Sequence, residues 1–112
     1  MNNDHQKMSP EQYAVVLAKT MLERKLSFFE GAVLMAPLRF HIKGVEQFDE
    51  DFIVFVVIES ETDHLPLQAH RHLWNEDSLK KLEPEFIHTE EWASTFAIKA
   101  CENIIKRFDV AN

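Results

Sequence analysis

The chain has 112 residues, 46% of them apolar and 28% charged. These are values of a soluble globular protein that builds its core without a structural metal or disulfide. Its single cysteine, Cys101, excludes an intramolecular disulfide, and no apolar run reaches the ~18–20 residues that span a bilayer. The net charge of −7 is unevenly spread, because residues 46–63 hold seven of the nineteen acids and no lysine or arginine. Such a field repels nucleic acid and anionic membranes and attracts basic partners or cations.

The polar start MNNDHQKMSPEQ lacks the apolar stretch of a signal peptide. Residues 1–8 are expected to be disordered, and residues 9–110 to form one domain of a cytoplasmic protein. Ser9-Pro10-Glu11-Gln12 has the chemistry of a helix start: a capping serine, a proline at the first helical position and a glutamine placed for a capping box. Tyr13, Val16, Leu17 and Met21, widened by Ala14, Ala18 and Leu22, then predict one helix from Pro10 to about Lys25. Ser27 is placed to cap a second helix, Phe28 to Ala36. Glu30 is its only charge, so it is expected to be buried on most sides, with Gly31 allowing a close approach.

Pro37 disfavours helix at Ala36. Arg39 to Lys43 alternates polar and apolar, which suits a short strand; a kinked helical continuation to Ile42 is the alternative. After an acidic loop, Phe52-Ile53-Val54-Phe55-Val56-Val57-Ile58 carries five β-branched residues in seven. It predicts a strand buried on both faces, spanning 52–59, at the centre of a sheet. Leu67 to Trp74 reads as a returning strand with Leu67, Ala69 and Leu73 on one face, although Ala69 to Trp74 also suits a helix start. Capping residues at 75–78 predict a short helix over 76–83. A final helix opens at Pro84 or Thr89 and runs to Phe108, with Ala93, Phe96, Ala97, Ala100, Cys101, Ile104 and Phe108 on one apolar face. The expected fold is therefore α+β: a small antiparallel sheet of about three strands packed against two N-terminal and two C-terminal helices.

Chemistry-bearing residues concentrate after the apolar run, in Glu59, Glu61, Asp63, His64, His70, Arg71 and His72. In an extended chain Glu59, Glu61 and Asp63 point the same way, ~7 Å apart. His70 and His72 on one strand face, with Asp63 or His64 folded back, would make a two-histidine, one-carboxylate set suited to Zn²⁺ or Fe²⁺. Against that, the sequence has no HExxH, no paired CxxC and no EF-hand loop, and His-x-His is more often a solvated edge. Thr62 and Asp63 commonly bond the backbone of a tight turn. Arg71 is expected to pair with Glu59, Glu61 or Asp63. Trp74 is a core anchor or a contact residue, and Cys101 a buried structural thiol.

Three functions follow. The first is a non-catalytic protein-binding module of immunity, adaptor or regulator type that docks a basic partner through residues 46–63. Glu59, Glu61, Asp63, His64, Arg71 and Trp74 would form its contact surface. The second is a small metal-binding protein or metal-dependent enzyme using Asp63, His64, His70 and His72. The third is self-association into a homodimer, motivated by the all-apolar second helix and by Ile98 and Ile105 on a flank of the last helix.

Overall fold

The computed structural model describes residues 8–109. It contains four α-helices: α1 Pro10–Leu22, α2 Phe28–Met35, α3 Phe52–Glu61 and α4 Glu76–Phe108. Short 3-10 helices occupy Ala36–Phe40 and Gln68–Leu73, and no strand occurs among the described residues. The expected α+β fold with an antiparallel sheet is thus wrong, and the fold is all-helical. The expected disorder of residues 1–8 lies outside the described residues except at Met8, which is half-exposed.

α1 begins as its sequence requires. The Ser9 hydroxyl accepts from the Gln12 amide and the Gln12 side chain accepts from the Ser9 amide, each at 3.1 Å. The helix ends three residues earlier than expected, at Leu22. Arg24 there adopts a left-handed φ of 63°. Its amide donates to the Met21 carbonyl and that of Lys25 to Thr20, the paired bonds that close a helix around a residue usually glycine.

α2 packs against α1, α3 and α4 alike, as expected of a helix with so little polar surface. Ser27 caps it, its hydroxyl accepting from the Glu30 amide at 3.1 Å. A carboxylate distant in sequence completes the cap: Glu90 accepts from the amides of Phe28 at 2.6 Å and Phe29 at 3.4 Å. Such charge-assisted bonds at a helix N-terminus contribute ~1.5–3 kcal/mol. Gly31 is buried directly against Met21. Beyond Met35 the chain tightens into the 3-10 helix over Ala36–Phe40, which accommodates Pro37 near its start. The expected strand over 39–43 is therefore absent, and the alternative of a continued, altered helix is nearer the structure. Ile42 is buried while Phe40 is 60% exposed, so they do not share the apolar face that a strand would give them.

The expected central strand is the helix α3. The apolar run conceals a helical stripe: Phe52, Phe55 and Ile58, three residues apart, are fully buried, whereas Val57 is 47% exposed. Helix costs β-branched residues only a few tenths of a kcal/mol each. A lone buried strand would instead leave its amides and carbonyls unpaired, at ~1–3 kcal/mol apiece. Neither flanking segment supplies a partner, since 67–74 forms the 3-10 helix Gln68–Leu73 rather than a returning strand.

α4 runs 33 residues without interruption, joining the two helices expected over 76–83 and from Pro84 or Thr89. Asn75 caps it, its side-chain oxygen accepting from the amides of Asp77 and Ser78. Pro84 is tolerated in an exposed stretch, where water reaches the Lys80 carbonyl that it leaves without a donor. Ala93, Ala97, Ala100, Cys101 and Ile104 form the buried face; Phe96, expected with them, is 47% exposed. Burial pushes the Cys101 thiol up to about 12, with help from Glu102, so it is an inert core group. Ile98 and Ile105 pack partly against the same core.

Three outcomes test this fold. A Cβ on residue 31 would sit 2.2 Å from the Met21 sulfur and 2.8 Å from its Cγ. Gly31→Ala should therefore lower stability by ~1–3 kcal/mol in urea unfolding, despite its better helix propensity. Adding Met21→Ala should cost less than the sum of the single changes. Arg24→Gly should raise stability by roughly 1 kcal/mol through relief of the left-handed strain; an unchanged or lower unfolding midpoint would contradict that reading.

Candidate functional site

The acidic segment separates into two groups at opposite ends of α3. At the N-terminal end, Asp49 accepts from the amides of Asp51 at 3.0 Å and Phe52 at 3.4 Å and so caps the helix. Arg107, near the end of α4, grips the same carboxylate with two bonds of 2.8 and 2.9 Å and reaches Asp51 at 2.9 Å. Asn103 donates to the other Asp51 oxygen at 2.9 Å. The Arg107 hydrogen bonds hold the Asp49 carboxyl below its ordinary range against the opposing effect of burial, assisted by the two amides. Arg107 is raised in turn, first by Asp49. These two acids thus close α3 onto α4.

The C-terminal end is different. Glu59 is half-buried, while Glu61 and Asp63 are exposed, and the last turn of α3 holds no basic residue. A helix C-terminus carries partial negative charge, so carboxylates here are unfavourable and a cation is favoured. The Thr62 hydroxyl donates back to the Ile58 carbonyl at 2.7 Å and so closes the end of α3, whereas the turn beyond, where Thr62 and Asp63 side chains were expected to bond the backbone, is held by the Thr62 carbonyl accepting from the Leu65 amide at 3.0 Å. His64 pairs with Glu85 of α4. Beside this end lies a groove of about 240 Å³ lined by Glu61, Thr62, His88, Thr89 and Trp92. The Trp92 ring stands edge-on to Phe96, centroids 5.4 Å apart.

The remaining expected site residues lie elsewhere. Arg71 does not turn to Glu59, Glu61 or Asp63. Its guanidinium lies 4.2 Å from the Phe86 ring centroid, and its Nε donates to the Pro66 carbonyl at 3.4 Å. Trp74 is 43% exposed at the start of α4, on the contact side of the two expected roles. His70 and His72 are exposed on the 3-10 helix, which lacks the strand alternation that would have aligned them. Among the described residues no three His, Cys, Asp or Glu side chains converge as a metal site. Asp63, His64, His70 and His72 are therefore not brought together. His88, Trp92 and Glu85 were not anticipated. Their only trace in the sequence is a position on α4 that becomes relevant once α3 packs beside it.

The Arg107 pair makes a prediction with a definite sign. Asp49 has a folded pKa below its ordinary 3.8, so its contribution is complete above that pH and is lost as the pH falls through the folded value. Arg107→Gln should lower stability by ~1–2 kcal/mol near pH 7, a figure discounted for the one-third exposure of Arg107. In urea titrations the gap between variant and parent should narrow near pH 3. A constant gap would remove Asp49 from the account.

No helix among the described residues is long and apolar enough to cross a membrane. No protein-family model, curated protein or solved structure matches the chain.

Proposed function

We propose that the protein is a non-catalytic binding module that docks a basic protein through the C-terminal end of α3. The observation that carries this reading is the negative charge gathered there without a basic residue in the turn: Glu59, Glu61 and Asp63 at the negative pole of the helix. A partner's lysine or arginine supplies the missing cation. The adjacent groove suits such a side chain, with Glu61 to receive its charge and Trp92 to receive its face. Asp49 and Asp51 fall outside the docking surface, since both are held by Arg107. The surface is accordingly narrower than the whole 46–63 segment. His64 belongs to its rim through Glu85, whereas Arg71, held against Phe86 and the Pro66 carbonyl, lies outside it.

Affinity capture from the source cell tests the proposal. The parent protein should retain basic proteins at low ionic strength and release them as salt rises, with at least a tenfold loss between roughly 50 and 300 mM. The double variant Glu61→Lys, Asp63→Lys should fold normally and lose the same proteins. Retention that ignores salt, or survives the charge reversal, would refute docking through this end.

A further inference from the structure

A second cleft, of about 580 Å³, opens on the opposite face of α4 from the Trp92 groove. Residues 86, 87 and 90 point one way around the helix and residues 88, 89 and 92 the other, as 3.6 residues per turn requires. The volume falls within the ~300–1,000 Å³ of small-molecule clefts. Its apolar lining comes from Leu26, Phe29, Phe86 and Ile87, and three cationic residues, Arg24, Lys25 and Arg71, stand around it. In a protein of net charge −7 that is a local reversal of sign.

The cations are positioned by contacts that leave them able to receive an anion. The Arg71 guanidinium carbon stands over the Phe86 ring at 4.2 Å and that of Arg24 over Phe28 at 4.9 Å, and neither is in an ion pair among the described residues. Lys25 meets only Glu23 in the ion pairs of the described residues, at 3.6 Å, with both side chains largely in solvent. The two acids of the cleft already have protein donors: Glu90 accepts from the amides of Phe28 and Phe29, and Glu30 accepts from the Ser27 hydroxyl. Arg24 adds a separate observation. It occupies a left-handed turn position where glycine is favoured, and a strained residue kept at a cleft mouth points to use of its side chain.

We infer that this cleft binds a small organic anion with an apolar body, such as a medium-chain carboxylate. The chain would lie on Leu26, Phe86 and Ile87 and the carboxylate would be held by Arg24, Lys25 and Arg71. The inference is independent of docking at α3.

Amide-resolved NMR titration of the whole chain with octanoate tests it, with octylammonium and acetate as controls of opposite charge and of no chain. Octanoate should shift the Leu26, Ser27, Phe86 and Ile87 amides saturably, with a Kd at least tenfold below that of either control. Arg24→Gly should weaken octanoate at least threefold while folding normally, and Arg71→Gln at least fivefold. Three results would overturn the assignment: equal binding of octylammonium, octanoate shifts located elsewhere, or unchanged affinity in Arg24→Gly. Sedimentation with phosphatidylglycerol vesicles separates the sources of the anion. The protein should stay in the supernatant, and its capture through Arg24 and Arg71 would reassign the surface to lipid headgroups.

Discussion

An eight-residue helix with almost no polar surface must be covered on most of its sides, and that need governs the molecule. Phe28, Phe29, Ala32 and Met35 of α2 are all buried, and α1, α3 and α4 each supply part of the cover. Close approach is possible because residue 31 has no side chain and Met21 fills the space. Covering a helix also hides its ends, and the exposed amides of its first turn then need a partner other than water. Glu90 provides it from α4, which fixes where α4 crosses α2. The position of α4 in turn sets the two clefts on its opposite faces.

The acids around α3 illustrate how one residue type takes two roles by location. At the helix start the peptide dipole, two amides and Arg107 all favour a carboxylate, and Asp49 and Asp51 become structural. At the helix end the dipole disfavours one, and Glu61 and Asp63 remain in solvent. A count of charge along the segment cannot separate these cases. The direction of the helix can.

Local chemistry was readable in the sequence and pairing was not. Ser9 with Gln12, Ser27 and Asn75 cap helices because capping needs only near neighbours. The burial of α2, the role of Gly31 and the inertness of Cys101 follow from composition and period. The apolar run 52–58 defeated the same reasoning because every position is apolar, so neither a period of two nor one of 3.6 stands out. What decides it is that no strand to pair with occurs among the described residues, a property of residues elsewhere. The Asp49–Arg107 contact spans 58 positions and the Glu90–Phe28 contact 62. The candidate site inherits both limits. Its carboxylates were visible, but Trp92 and His88 line a groove with Glu61 only because α3 is a helix.

Pro84 has a consequence for how α4 behaves in time. The proline removes one rung from the hydrogen-bond ladder, and no side chain between residues 76 and 83 is buried. Of those first two turns only Leu82 packs against the core, so they stay wound mainly through their own backbone bonds, the Asn75 cap and that one contact. Fraying that starts at the cap meets the missing rung and has no cause to travel further, because Ala93 to Ile104 is clamped in the core. One geometrically continuous rod therefore has unequal anchorage: its first two turns should open at lower cost than the stretch from Ala93 to Ile104.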